Sequence, residues 1–129
     1  MSDLPGELLE SFCRAYGDRD IDRLMSCFCE TGDCMVVGLG ENDRRVGCEE
    51  IREFFLTDWT TVEKATMNAD NVVVSYAGEV AWLVAEMRVQ ARLRGRFMQS
   101  VARLTGVARE RAGAWQWCQI HLSIPADVQ

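Results

Sequence analysis

Three segments near the end of the chain decide its fold: VAWLVAEMRVQARL from Val80 to Leu93, FMQSVARLTGVAR from Phe97 to Arg109, and WQWCQIHLS from Trp115 to Ser123. Each alternates apolar and polar residues over much of its length, with the period of two that is typical of a strand with one buried face. Short turns separate them, at Arg94-Gly95 and around Ala112. The segments therefore predict two consecutive hairpins of an antiparallel sheet.

The turns determine which side chains of neighbouring strands lie opposite one another. A two-residue loop at Arg94-Gly95 places Glu86 opposite Arg103, and a second turn centred on Ala112 places Arg103 opposite His121, the only histidine. Directly opposed side chains lie about 5 Å apart at Cβ, close enough to interact. A slip of one residue would move His121 to the other face, so this row depends on the second turn.

The two faces of the predicted sheet differ in chemistry. One face is apolar and predicts a surface on which helices pack, whereas the other mixes aromatic residues with charges. On that second face, Arg103 could bind an anionic or carbonyl-bearing ligand, with His121 and Glu86 as acid and base. The alternative is a hydrogen-bonded network at a sheet-to-sheet contact between two copies of the chain. The second face is predicted to carry Trp82, Val84, Glu86, Arg88, Val101, Arg103, Thr105, Trp115, Trp117, Gln119, His121 and Ser123.

The first half of the chain carries helical spacing. Apolar residues recur at intervals of three and four from Pro5 to Gly17, after Asp20, and from about Cys48, where Phe55 and Trp59 face inward. Short strands are predicted at residues 34–39, 45–47 and 71–75. Helices followed by strands favour an α+β fold, with the helices packed on one face of a curved antiparallel sheet.

Composition excludes several classes of protein. A net charge of −6 argues against nucleic-acid binding, which needs a cationic surface. No apolar run approaches the length of a membrane span, and the acidic start of the chain is unlike a signal peptide, so a cytoplasmic location is expected. The six cysteines are then expected to be reduced thiols, and their spacing matches no zinc motif. We predict no metal and no cofactor.

Several loose motifs, in order along nearly the whole chain, resemble the SnoaL-like or nuclear transport factor 2-like superfamily, which is related to ketosteroid isomerases. The resemblance implies a cone-shaped, cystatin-like fold in which a strongly bent sheet wraps three helices around a cavity, usually in a homodimer. Its members include isomerases, cyclases, dehydratases and proteins without known activity. The motifs are Phe12 to Phe28, Gly38 to Gly47, Ala81-Trp82, Arg103-x-Thr105-x-Val107, and Trp115 to His121 followed by Ser123 and Pro125.

The chain departs from ketosteroid isomerases at their catalytic positions. The tyrosine that those enzymes place in the first helix corresponds to Glu10 or Ser11, and their general base corresponds to Val36 or Val37. The resemblance therefore does not imply steroid isomerase chemistry, and an uncharacterised SnoaL-like branch is the closer match.

We predict one SnoaL-like domain over residues 1–129 that binds a small, largely apolar molecule in its cone. The predicted ligand-binding residues are Arg103, Trp82 and Thr105 from the sheet, with Trp59 and Phe55 at the mouth of the cavity. The first alternative is a lyase or isomerase in which His121 and Glu86 are catalytic beside Arg103. The second is a non-catalytic dimeric assembly module. The expected partners are a second copy through the sheet face and an unidentified small molecule, with no nucleic acid or membrane.

Overall fold

A computed structural model describes residues 4–126, so the first and last three residues of the predicted domain lie outside the described residues. None of the helices in that range is long and apolar enough to cross a membrane. The described elements are α1 Pro5–Asp18, α2 Ile21–Ser26, β1 Met35–Val37, β2 Arg44–Val46, α3 Cys48–Thr61, β3 Lys64–Ala77, β4 Val80–Leu93, β5 Arg96–Arg111 and β6 Ala114–Ser123.

The helices begin and end near the residues that the sequence predicted. Pro5 stands in the first turn of α1, where its missing N–H costs nothing, and the chain leaves that helix through Arg19 at φ 55°. The Asp20 side chain accepts a hydrogen bond from the Arg23 backbone N–H and caps α2. All three helices bury one side in a common core.

Six strands form a curved open sheet in the order β2-β1-β6-β5-β4-β3. Neighbouring strands are antiparallel except β1 and β6, which run parallel, so the predicted antiparallel sheet contains one parallel pair. Strand β3 begins at Lys64, seven residues before the predicted start at Asn71. Asn71 instead has a left-handed φ of 52° and lies in an irregularity in the pairing of β3 with β4.

The β4–β5 hairpin has the predicted pairing. Arg94 and Gly95 form a two-residue loop with φ 50° and 74°, so both residues have the positive φ that a tight hairpin turn requires. Leu93 pairs with Arg96, and Glu86 therefore pairs with Arg103. The prediction for this hairpin is confirmed.

The β5–β6 hairpin differs from the prediction in two ways. Its turn is the two-residue loop Ala112-Gly113, and Cys118 is an extra residue between the pairs Ala108–Trp117 and Val107–Gln119. The bulge reverses the alternation along β6, because one residue is inserted on one strand only. Trp115 and Trp117, predicted on the outer face, are consequently buried on the inner face with Ile120.

Trp117 lies directly against the backbone of β5. A Cβ atom at Gly106 would come within 2.6 Å of Trp117 Cζ3, so only glycine leaves room for the indole. The side chain of Trp117 is fully buried among residues of the helices and the inner face of the sheet. The bulge and the glycine together place this tryptophan inside the cone.

Candidate functional site

The predicted polar row lies on the outer face of the sheet, away from the helices. Glu86, Arg103 and His121 are all exposed, as are Trp82 and Thr105 on the same face. The His121 pairing was predicted wrongly by two residues along β5: the two-residue turn Ala112-Gly113 accounts for one of them and the bulge at Cys118 for the other. His121 is opposite Thr105, and Ser123 is opposite Arg103.

Glu86 and Arg103 lie opposite each other on β4 and β5 but do not form an ion pair with each other. Among residues 4–126, the ion pairs within 4.0 Å include Arg88 with Asp70 but not Glu86 with Arg103. Glu86 instead accepts a hydrogen bond from Asn71 Nδ2 at 3.0 Å. The catalytic roles of His121 and Glu86 and the binding roles of Arg103, Trp82 and Thr105 therefore stay predictions.

The interior between the helices and the sheet is packed with aromatic rings. The ring centroid of Phe12 lies 6.1 Å from that of Phe28, 6.0 Å from that of Phe55 and 6.3 Å from that of Trp117, all in edge-to-face arrangements. Phe55 and Trp59, the two predicted residues of the cavity mouth, are buried in this interior. Their predicted role in ligand binding stays a prediction.

Two polar atoms in the interior have no hydrogen-bond partner among residues 4–126. The indole groups of Trp59 and Trp117 each place Nε1 where solvent does not reach it, and no acceptor among the described residues pairs with either. Most buried donors in proteins are hydrogen-bonded, so an unpaired one marks a position where a bound molecule can supply the acceptor. Trp59 is connected to the cluster through Tyr16, whose ring centroid is 6.0 Å away.

A hydrogen-bonded pair joins α1 to α3 at the edge of the interior. The hydroxyl of Tyr16 donates to Asp58 Oδ2 at 2.6 Å. Burial raises the pKa of Tyr16, and the hydrogen bond to Asp58 raises it further. Arg19 donates to the backbone carbonyl oxygens of Trp59 and Val62 and so binds the free carbonyls at the end of α3. These contacts fix the end of α3 beside the aromatic interior.

Asp58 also lines an open surface cavity of about 390 Å³ between the β1–β2 hairpin and α3. Arg45 is the basic side chain among the lining residues, and its guanidinium lies 5.4 Å from the ring centroid of Phe54. Carboxylates otherwise predominate in the walls, so the cavity is more polar than the interior behind it. The lining residues are Asp43, Arg45, Glu50, Glu53, Phe54, Thr57, Asp58 and Thr61.

Sequence reasoning missed the unpaired Trp117 indole and the Tyr16–Asp58 pair. Trp117 was placed on the outer face because a strict alternation does not reveal a bulge. Tyr16 and Asp58 are 42 residues apart, and no local pattern brings them together. The helical spacing of Tyr16 with Phe12 was the only signal that either residue faces the interior.

The sequence matches the SnoaL-like domain family over residues 6–127, which is nearly its whole length. The chain belongs to this family. No curated protein matches the sequence.

Solved structures share the fold of this SnoaL-like protein at low sequence identity. A proposed dehydratase of the nuclear transport factor 2-like family from Streptomyces avermitilis is 18% identical with a TM-score of 0.85, and the match covers 95% of this chain and 94% of that one. A nuclear transport factor 2-like protein from Salmonella enterica is 18% identical with a TM-score of 0.84, covering 95% and 89%. A cystatin-like protein of unknown function from Nostoc punctiforme is 17% identical with a TM-score of 0.78, covering 93% and 87%. These likenesses establish the fold.

Proposed function

We propose that this SnoaL-like protein binds a small, largely apolar molecule with a hydrogen-bond-accepting oxygen in the interior of its cone. The observation that carries the proposal is the pair of buried indole N–H groups of Trp59 and Trp117, which have no protein acceptor among the described residues. A buried donor without a partner costs about 1–3 kcal/mol. A carbonyl or hydroxyl oxygen of a ligand would recover part of that cost.

The lining of the interior supports an apolar, aromatic ligand. Phe12, Phe28 and Phe55 present ring edges and faces, which pack well against a flat hydrocarbon body. Met67 and Met87 are buried on the inner face, and unbranched thioether side chains change rotamer readily to make room. The fold shared with a proposed dehydratase is compatible with a small-molecule role but does not identify the molecule.

A pair of matched probes tests the proposal. α-Tetralone is a bicyclic aromatic ketone, and tetralin has the same carbon skeleton without the oxygen. We expect α-tetralone to bind about fivefold more tightly, because one hydrogen bond contributes about 1 kcal/mol. Calorimetric titration of both probes measures the ratio, and their effects on Tm provide an independent check.

Three variants locate the binding site: Trp117→Phe and Trp59→Phe in the interior, and Trp82→Phe on the outer face. Trp117→Phe keeps a ring of similar shape but removes the N–H, so the preference for α-tetralone should fall towards one. Trp82→Phe makes the same change at an indole on the outer face, 46% exposed, and should leave the preference unchanged. Equal affinity for the two probes in the unmodified protein, or a preference that survives in Trp117→Phe and Trp59→Phe, would contradict the proposal.

We propose in addition that two copies of the chain associate through the outer face of the sheet. Trp82, Val84 and Val101 leave large apolar side chains in solvent there, at 46%, 52% and 48% exposure. Glu86 and Arg103 stand between them with opposite charges and without an ion pair to each other. A two-fold contact would bury the apolar groups and offer each charge an opposite partner.

Light scattering at micromolar concentration tests the association, with the mass of a dimer expected. Trp82→Glu should shift the population towards monomer, because it places a charge in the contact. Leu39→Glu is the matched control, since Leu39 is 52% exposed and lies in the turn after β1, outside the strands β4 and β5 that carry Trp82, Val84 and Val101. A monomeric mass for the unmodified protein would refute the dimer.

A further inference from the structure

Four of the six cysteines meet at one end of the cone, where β1, the start of α3 and β6 come together. The Sγ atoms of Cys34 and Cys48 are 3.6 Å apart. The Cys48 thiol also reaches the backbone carbonyl oxygen of Cys29, at 3.4 Å. Cys29 in turn interacts with the thiol of Cys118 on the β6 bulge. The tertiary fold therefore assembles thiols that are up to 89 residues apart in the chain (118 − 29).

We propose that Cys34 and Cys48 form a reversible disulfide in response to hydrogen peroxide. A disulfide has an S–S bond of about 2.05 Å, so the two sulfur atoms must approach by about 1.5 Å, within reach of small side-chain rotations. The backbone already holds the two residues together, since the Gly47 N–H donates to the Cys34 carbonyl oxygen at 2.8 Å.

The two thiols have different environments, and the difference indicates which of them reacts with peroxide first. Cys48 is the first residue of α3 and is half-buried, so peroxide can reach its sulfur. Cys34 is fully buried. Burial raises the pKa of Cys34 to about 12, and the hydrogen bond with Cys48 contributes to the rise. Cys48 is therefore the attacking thiol and Cys34 the resolving one.

The reaction has two balanced steps. The Cys48 thiolate attacks one oxygen of hydrogen peroxide, the O–O bond breaks, and a sulfenic acid forms with release of hydroxide. The Cys34 sulfur then attacks the Cys48 sulfur, the S–O bond breaks, and the departing hydroxyl group and the Cys34 proton leave as water. Two electrons pass from the thiols to peroxide, and a dithiol reductant reverses the change.

The disulfide would hold one wall of the surface cavity, the loop that contains β1 and β2, in a fixed position relative to α3. It closes the loop from Cys34 to Cys48, which contains β1, β2 and the turn between them. Asp43 and Arg45 on this loop face Phe54 and Asp58 of α3 across the cavity. A covalent link at the base of the hairpin would therefore fix the two walls relative to each other. This inference does not depend on the ligand proposed for the interior.

Peptide mapping of peroxide-treated protein tests the pairing. Trypsin cleaves after Arg44 and Arg45, so a Cys34–Cys48 bond links peptide 24–44 to peptide 46–52. We expect this linked peptide after treatment, a loss of about 2 Da from the intact mass, and its recovery with dithiothreitol. The Tm should rise by several degrees in the oxidised form, because the bond closes a short loop.

Matched serine variants identify the partner, because peptide 24–44 also contains Cys27 and Cys29. Cys34→Ser and Cys48→Ser should each abolish the linked peptide, whereas Cys27→Ser and Cys29→Ser should retain it. A linked peptide that persists in Cys34→Ser would overturn the proposal. So would six free thiols after treatment, or oxidation of Cys48 to a sulfinic acid without a link.

Discussion

The inner and outer faces of the sheet both carry tryptophan and polar groups, but their surroundings differ. Trp117 on the inner face is fully buried with an unpaired indole N–H, whereas Trp82 on the outer face is 46% exposed. Water can satisfy the polar groups of the outer row. In the interior, each polar atom needs a partner from the protein or from a bound molecule. The unpaired donors therefore favour the interior as the position of a bound ligand, although the sequence pattern favoured the outer row.

The largest expected effect is that of removing the buried tryptophan. Trp117→Ala should lower the free energy of unfolding by about 3–5 kcal/mol, because it removes a large side chain from a packed core. Trp82→Ala is the matched change on the outer face and should cost much less in the monomer. Urea unfolding of both variants at low protein concentration measures the difference. Equal losses of unfolding free energy would show that the two tryptophans contribute equally to stability.

The stability of the protein should fall at alkaline pH, because buried thiols keep their protons in the folded state. Burial raises the pKa of Cys13 from 9.0 to about 12. Above about pH 9 the unfolded chain releases this proton while the folded protein keeps it, so stability falls as pH rises, by about 1.4 kcal/mol per unit until the folded pKa is reached. Unfolding at about pH 8 and pH 10 in reductant checks the sign, and Cys13→Ala should reduce the slope. An unchanged slope in Cys13→Ala would show that this thiol is accessible.

Loss of the Tyr16 hydroxyl tests the polar contact at the edge of the interior. Tyr16→Phe removes the hydrogen bond to Asp58 and should destabilise the protein by about 1–2 kcal/mol. Chemical denaturation gives this value. Asp58→Asn offers a control, because an amide oxygen can still accept from Tyr16 and the loss should be smaller. If Tyr16→Phe leaves the free energy of unfolding unchanged, the hydrogen bond between Tyr16 and Asp58 does not stabilise the packing of α1 against α3.

The smallest effect is expected in the outer row. Arg103 and Glu86 are exposed and form no ion pair within the described range 4–126, so Arg103→Ala should change the stability of the monomer by less than about 0.5 kcal/mol. A loss of several kcal/mol in thermal or chemical denaturation of the monomer would show that the row is a structural network after all.

The β4–β5 hairpin and the helices could be predicted from sequence because local rules govern them. Arg94-Gly95 fixes the register of one hairpin, and Asp20 marks the start of α2. The β5–β6 register could not be predicted in this way, since the bulge at Cys118 satisfies the burial of Trp117 against Gly106, a long-range requirement. For the same reason, the buried indole of Trp117 could not be found from the sequence pattern. Because of this one-residue insertion, Trp117 and the neighbouring side chains of β6 lie on the face opposite to the predicted one.

Ligand binding in the interior can be followed in a nitrogen–proton correlation NMR spectrum, in which each of the four tryptophans gives its own indole N–H signal. Single Trp→Phe variants assign the signals, and α-tetralone is then titrated into the unmodified protein. We expect the signals of Trp59 and Trp117 to shift as they do when an indole N–H forms a new hydrogen bond, and the signal of Trp82 to stay in place. Movement of the Trp82 signal with those of Trp59 and Trp117 unchanged would contradict this expectation.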